Sequence, residues 1–231
     1  MRNLTKKFFA PAVALCLVAS LFMGSANAQA SEKSDGAQME KVLKYYKAQE
    51  YTKAQKASKK LPSAAKEKCI SNMSKNMKKV YRKKIKSYVS KYGIDIDVEN
   101  YGTYVWDYFL TDLDNDGKAE LLIQYGSCEA DVRFAAFKYK SDKAKKIGTM
   151  SCAHAVFSAY PNHKGVVIMS GHMGYESVRV VKISNGKLKS VSYGERELTE
   201  NSDYLNPGCL LRSHRRYNSD YSKCWFNYPE L

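Results

Sequence analysis

A run of acidic residues near the middle of the chain has the spacing of a calcium-binding loop. Residues 112–120 read Asp-Leu-Asp-Asn-Asp-Gly-Lys-Ala-Glu, so three aspartates alternate with other residues and a glycine follows. Calcium takes hard oxygen ligands at flexible geometry, and glycine permits the sharp turn that gathers them. The predicted ligands are the carboxylates of Asp112, Asp114, Asp116 and Glu120 and the backbone carbonyl of Lys118, with water completing the shell.

The sequence around this acidic loop indicates a β-hairpin. An EF-hand is excluded, because its loop needs a glutamate at position twelve and flanking helices, whereas Ile123 stands there. Residues 104–110 and 120–125 are rich in aromatic and β-branched side chains, which favours strands. This layout resembles the short calcium hairpins of integrin-type FG-GAP repeats. The alternative is a metal-free Asn-Asp-Gly turn, but closely spaced aspartates repel one another unless a cation neutralises them.

A second set of residues has the side-chain types of a hydrolase or a metal site. These are thiol, carboxylate and imidazole groups at Cys128, Glu129, Asp131, His154, His172 and Glu176. Zinc would require two or three histidines at defined spacing, which neither histidine shows alone. The alternative is a pair of loops whose glycines permit positive φ and whose polar side chains bond to the backbone.

The first 28 residues predict export. Three basic residues precede an apolar run from Phe8 to Met23, and Ala26-Asn27-Ala28 forms a small-residue cleavage site. These are the three parts of a secretory signal peptide, with cleavage expected after Ala28. The alternative, an uncleaved anchor, is disfavoured because the apolar run is short for a span and contains Pro11.

Five cysteines remain after the predicted cleavage, so at least one cannot be in an intramolecular disulfide. Two bridges among five cysteines allow fifteen patterns. The preferred pairs are Cys128 with Cys152, at the ends of neighbouring predicted strands, and Cys209 with Cys224, which would close a short loop; Cys69 is then left over. No Cys-x-x-Cys spacing supports a zinc ribbon or thioredoxin-like redox chemistry.

The excess of positive over negative charge is confined to the N-terminal part of the mature chain. Residues 29–93 hold eighteen Lys or Arg and five acids, whereas residues 94–231 hold seventeen and eighteen. The basic part has helical periodicity, with Pro62 separating two predicted helices and Gly93 ending the second. Its lysine faces predict either a solvated surface or attraction to an anionic cell-wall polymer or membrane surface. A nucleic-acid partner is disfavoured because lysine outnumbers arginine and no base-reading module is visible.

The remainder reads as short antiparallel strands, with residues 184–187 as the firmest hairpin turn. Beyond the acidic hairpin, the predicted strands are residues 132–139, 155–160, 166–169, 178–183 and 188–193. The predicted fold class is α+β, with basic helices packed on a twisted antiparallel meander sheet. The predicted organisation is a signal peptide at 1–28, a basic helical region at 29–93, an antiparallel β domain at 94–200 and an irregular tail at 201–231. The oligomeric state is left open.

Three motifs together resemble a family of uncharacterised exported proteins of anaerobic, gut-type Gram-positive bacteria. They are the acidic loop, residues 126–131 (Gly-Ser-Cys-Glu-Ala-Asp) and residues 170–176 (Ser-Gly-His-Met-Gly-Tyr-Glu). The resemblance covers approximately residues 100–200 and implies an extracellular location and a calcium-type loop, but no activity. The tail after Pro207-Gly208 departs from the family's lysine-rich pattern.

These observations predict a secreted or wall-associated binding or structural protein that structural calcium stabilises, rather than an enzyme. The alternative is a secreted hydrolase that uses His154, His172 and a carboxylate from Glu129, Asp131 or Glu176. Convergence of His154, His172 and Glu176 in an open cleft would favour the hydrolase.

Overall fold

The computed structural model describes residues 31–65, 68–94, 102–200, 202, 204–206, 208–217, 224–228 and 231. The predicted signal peptide lies outside the described residues. Within those ranges, no helix is both long and apolar enough to cross a membrane.

Four helices are described, all in the N-terminal part of the chain. Helix α1 covers residues 31–47, α2 Tyr51–Ser58, α3 Lys68–Ser71 and α4 Lys75–Tyr92. The side chain of Ser74 caps α4 by accepting a hydrogen bond from the Met77 N–H at 3.1 Å. Gly93 ends α4 with a φ of 78°, as predicted, because a residue with a Cβ rarely adopts this conformation.

The strands form two four-stranded antiparallel sheets in which consecutive strands are neighbours. Sheet 1 contains β1 (Tyr104–Thr111), β2 (Glu120–Gly126), β3 (Arg133–Lys140) and β4 (Lys143–Ser151). Sheet 2 contains β5 (Ala155–Ala159), β6 (Val166–His172), β7 (Tyr175–Ser184) and β8 (Lys187–Glu197). Two short strands of the tail, β9 (Arg215–Tyr217) and β10 (Cys224–Phe226), pair with each other.

The predicted α+β class and antiparallel meander are confirmed, but the strands divide between two sheets. The chain turns at His154, whose φ of 47° is unusual for a residue other than glycine, and β5 then starts the second sheet. The predicted hairpin turn is confirmed: Asn185 and Gly186 have φ of 52° and 70°, as a type I′ turn requires. Strand β4 was missed, because its sequence is rich in lysine.

The helices and sheets stack in four layers. Helix α4 covers one face of sheet 1, where Tyr81 and Ile85 are fully buried with Leu121 and Ile123 of β2. The other face of sheet 1 packs against sheet 2 through Phe109 and Phe157, whose ring centroids are 5.0 Å apart. Helix α1 contacts sheet 2, since Tyr46 is buried and its hydroxyl donates to the Glu176 carbonyl at 3.3 Å. The acidic loop lies at one end of sheet 1.

Candidate metal centre

The acidic loop joins β1 to β2 and folds back on itself through the first aspartate. Asp112 Oδ1 accepts a hydrogen bond from the Asp116 N–H at 3.1 Å, and Oδ2 accepts one from the Gly117 N–H at 2.7 Å. Asn115 and Gly117 have φ of 58° and 81°, which provides the tight turn. The two predicted strands on either side of the loop are confirmed.

The three aspartates converge as the spacing predicted. One carboxylate oxygen from each of Asp112, Asp114 and Asp116 lies within 4.8 Å of the other two, so this group could hold a metal ion. Asp112 and Asp114 are half-buried, whereas Asp116 is exposed to solvent. The predicted carbonyl ligand belongs to Lys118, which lies in the same loop and donates its N–H to Asp116 Oδ1 at 2.9 Å.

Glu120, the fourth predicted carboxylate ligand, is not in this converging group of three and begins β2. It is completely buried, and its Oε2 accepts a hydrogen bond from the Leu113 N–H at 2.8 Å. Its Oε1 has no hydrogen-bond donor among the described residues, and neither has Asp114 Oδ1. Burial raises the pKa of Glu120 to about 8, and the negative charge of Asp114 adds to this effect. A buried carboxylate oxygen without a donor carries a desolvation penalty unless a cation lies beside it.

Among the described residues, Lys138 of β3 is the one cation that forms ion pairs with the carboxylates of the loop. Its ammonium group contacts Asp114 Oδ2, lies 2.8 Å from Asp116 Oδ2 and is 3.7 Å from Glu120 Oε1. Burial opposes the charged form, but the hydrogen bonds to Asp114 and Asp116 hold the pKa of Lys138 above its ordinary value. One ammonium cannot neutralise three aspartates, so the loop keeps an excess of negative charge even when Glu120 is protonated.

Sequence reasoning missed Lys138 because it is eighteen residues from the loop's last carboxylate. The signal that could have found it is strand register: Leu121 pairs with Phe137, which makes Glu120 and Lys138 the next residues along the two strands. Lysine and glutamate opposite each other on an antiparallel pair attract.

The loop is also tied to the rest of the molecule. The Leu113 carbonyl accepts a hydrogen bond from the Ile183 N–H of sheet 2 at 3.3 Å. On the other side, the buried hydroxyl of Tyr81 in α4 lies 3.0 Å from the Ala119 carbonyl. Order in the loop therefore affects both sheets and α4.

Part of the second predicted group of residues comes together at the turn between the two sheets. The rings of His154 and His172 stack with centroids 3.8 Å apart, and His154 Nδ1 lies 3.2 Å from Glu129 Oε2. Glu129, His154 and Cys152 line an open cavity of about 410 Å³.

The other two carboxylates of this group have structural roles elsewhere. Glu176 is buried and its Oε1 accepts a hydrogen bond from Arg196 Nε at 2.9 Å, while Oε2 accepts one from the Leu205 N–H. Asp131 accepts hydrogen bonds from the Ser127 and Cys128 N–H groups, which lower its pKa. The proposed trio of His154, His172 and Glu176 therefore does not converge.

The predicted bridge between Cys128 and Cys152 is not formed in the structure, where both are thiols. Cys128 is exposed in the turn that Asp131 holds, whereas Cys152 is buried with Gln124 Nε2 3.7 Å from its sulfur. Burial raises the pKa of Cys152 to about 12, so its thiol is a poor nucleophile at neutral pH. The second predicted pair is not described, because the side chain of Cys224 lies outside the described residues.

Comparison of the chain with protein-family models, with curated proteins and with solved structures finds no match. Its function is therefore inferred from its own residues and their geometry.

Proposed function

We propose that this protein is an exported or wall-associated binding or structural protein, stabilised by calcium bound in the loop of residues 112–120. The observation that carries the proposal is the convergence of carboxylate oxygens from Asp112, Asp114 and Asp116, together with the buried Asp114 Oδ1, which has no hydrogen-bond donor among the described residues. A divalent cation would compensate this oxygen and the excess negative charge of the loop.

The chemistry of the loop favours calcium over other metals. Its side-chain donors are carboxylate oxygens, and no histidine or cysteine lies within residues 112–120, which disfavours zinc and copper. Magnesium demands near-octahedral geometry and usually keeps several waters, whereas calcium accepts six to eight oxygens in flexible arrangements. The export signal expected at residues 1–28 would place the loop where calcium is millimolar, enough to fill even a weak site.

A melting experiment on the mature chain tests this proposal. With millimolar calcium and a dissociation constant of about 0.1 mM, binding to the folded state would stabilise it by about 1–2 kcal/mol. For a chain of this length we expect the melting temperature to rise by about 2–8 °C relative to EDTA. Magnesium at the same concentration should give a much smaller shift.

Asp114→Asn provides the variant and Glu195→Gln the matched control. Both remove one carboxylate charge, but Glu195 is exposed on β8, away from the loop. The calcium-dependent shift should disappear in Asp114→Asn and persist in Glu195→Gln. A wild-type melting curve that is the same in calcium and EDTA would overturn the proposal.

A secreted hydrolase is the second candidate, and one observation favours it. Glu129 and His154 are in contact beside an open cavity. In a hydrolase, such a carboxylate could orient the histidine as a general base. Two observations count against it, since Glu176 is occupied by Arg196 and the Cys152 thiol in the same cavity has a raised pKa. Hydrolysis of a model ester by the wild type, lost in His154→Gln, would favour this candidate.

A further inference from the structure

We infer that α4 and the adjoining edge of sheet 1 form a docking surface for a linear, phosphate-bearing polyanion. The inference names the partner of the proposed binding function and rests on that function only for the location outside the cell. The surface is called the lysine face here, and its members on α4 are Lys75, Lys79, Arg82, Lys83 and Lys86.

All the charged side chains of helix α4 are positive. Its eighteen residues contain eight Lys or Arg and no acidic residue. The five members of the lysine face are all exposed. No ion pair between described residues includes any of them. Their charges are therefore not neutralised within the described part of the chain and are available to a partner.

Strand β4 enlarges this surface, which the sequence alone did not indicate. It is the edge strand of sheet 1 and packs beside α4. Lys146 of β4 is exposed and pairs with Phe137, whose ring lies 5.4 Å from the ammonium of Lys84 in α4. Lys143 and Lys145 are also exposed on this edge strand, but the alternation of side chains places them on the opposite face from Lys146, so they are not counted in the surface. The positive surface thus draws on the sheet, although residues 94–231 are nearly neutral as a whole.

The packing of α4 favours a polymer over a membrane. An amphipathic helix binds a bilayer by burying its apolar face among the lipids. The apolar face of α4 is already used, because Met77, Tyr81 and Ile85 are buried and the Tyr81 hydroxyl lies 3.0 Å from the Ala119 carbonyl. Only the charged face remains, and it can attract a partner but has no apolar side chain to insert.

The composition and spacing of the lysine face fit repeated phosphate groups. Lysine is a compact point charge that binds phosphate without the bidentate geometry of arginine. Residues four apart on a helix are about 6 Å apart along the axis, so the face presents a charge on successive turns over about 16 Å. The exposed side of α4 has lysine, one arginine, serine and asparagine but no exposed aromatic ring on which a nucleic-acid base would stack. A phosphodiester polymer without bases fits this surface best.

Binding of the mature chain to long-chain inorganic polyphosphate tests the inference. Affinity should fall steeply with salt, by about 100-fold between 50 and 200 mM NaCl, if four or five phosphates are contacted. The variant reverses Lys79, Lys83 and Lys86 to Glu. The control reverses three exposed lysines outside the lysine face: Lys44 and Lys47 in α1, and Lys60 just after α2. It changes the net charge by the same amount as the variant.

We expect the lysine-face variant to bind at least 30-fold more weakly at 150 mM salt, and the control less than threefold. Equal weakening of both variants, or no binding by the wild type, would overturn the inference. Equal or tighter binding to vesicles with 30% anionic lipid would overturn the choice of a polymer. The calcium-dependent melting shift, measured on the same variants, reports folding and separates failure of this inference from failure of the calcium proposal.

Discussion

Four carboxylates and one ammonium group share the space inside the acidic loop. The ammonium of Lys138 reaches Asp114, Asp116 and Glu120, while Asp112 accepts hydrogen bonds from backbone N–H groups of the loop. Lys138 therefore holds the carboxylates together without neutralising them, and a second cation is expected to act alongside it.

Lys138→Gln tests this division of charge. Without calcium, the variant should be less stable than the wild type by about 1–2 kcal/mol, because the carboxylates lose the one cation that is ion-paired with them among the described residues. Calcium should stabilise the variant more than the wild type, since the loop then has one more uncompensated negative charge. Chemical denaturation with calcium and with EDTA measures both effects.

Lys145→Gln is the matched control for that experiment. Lys145 pairs with Lys138 across the two strands but is exposed. The Lys145→Gln substitution should change neither the free energy of unfolding nor its response to calcium by more than about 0.5 kcal/mol. A calcium response that is the same in Lys138→Gln and in the wild type would show that the ammonium does not share the site.

The two cysteines at the turn between the sheets should differ sharply in reactivity. Alkylation needs the thiolate, and burial raises the pKa of Cys152 to about 12, so only about one molecule in 10,000 is ionised at pH 8. In the native, non-reduced protein, iodoacetamide should label exposed Cys128 and spare Cys152, with both labelled after unfolding. Mass mapping that finds the two joined would contradict the structure and confirm the bridge that the sequence predicts.

At the scale of elements, local patterns predicted most of the strands and the acidic hairpin. The acidic loop has its predicted ligands within nine residues, and the Asn185-Gly186 turn depends only on residues that tolerate positive φ. Strand β4 was missed because only Ala144, Ile147 and Met150 pack against the cores, so its sequence lacks strand periodicity. The N-terminal region is helical and α4 ends at Gly93, both as predicted. The sequence predicted two helices, however, where the structure has four.

Features that depend on contacts between distant elements could not be predicted from sequence. The split into two sheets occurs at a non-glycine residue with positive φ, His154, which has no local signature. The contact of His154 with His172 joins turns eighteen residues apart, and its place depends on the register of β5 with β6. Glu176 and His172 are near in sequence, yet Glu176 is bonded to Arg196 and the Leu205 N–H instead.

The two sheets have corresponding loops that lie side by side. The acidic loop joins the first two strands of sheet 1, and residues 160–165 join the first two of sheet 2. Asn115 Nδ2 in the first loop lies 3.4 Å from the Asn162 carbonyl in the second. The second loop has no acidic residue, so only the first has the chemistry of a metal site.

One carboxylate makes several of the hydrogen bonds that hold the C-terminal tail to sheet 1. Asp107 of β1 accepts hydrogen bonds from the His214 N–H at 2.9 Å, the Arg215 N–H at 3.1 Å and the Ser213 hydroxyl. Asp107→Ala should destabilise the protein by about 2–4 kcal/mol, because buried donors lose a charged acceptor. Limited proteolysis should then cut the tail first.

Asp107→Asn is the conservative partner, since its amide oxygen still accepts hydrogen bonds and should recover part of the stability. Equal proteolysis of the tail in the wild type and Asp107→Ala would show that the tail is held by other contacts, such as the stacking of His214 on Tyr108.

On the scale of the whole molecule, the acidic loop is positioned where it can stabilise several layers. Its Leu113 carbonyl bonds to Ile183 of sheet 2, and its Ala119 carbonyl lies against Tyr81 of α4. The apolar core extends from sheet 1 into sheet 2 and α1. We therefore expect the described layers to unfold together and calcium to raise the stability of all of them.

Phe157 tests whether the two sheets form one cooperative unit. It is 4% exposed and its ring packs on Phe109 and Phe134 of sheet 1, with centroids 5.0 and 5.6 Å away. Phe157→Ala should cost about 3–5 kcal/mol, whereas Tyr175→Ala, at a residue 60% exposed, should change stability by less than about 0.5 kcal/mol. If the sheets are coupled, far-UV circular dichroism and tryptophan fluorescence will report the same lowered midpoint, and calcium will still raise it. Two separate transitions in Phe157→Ala, with only the sheet 1 transition responding to calcium, would instead show that the sheets unfold independently and that the stabilising effect of the loop ends at sheet 1.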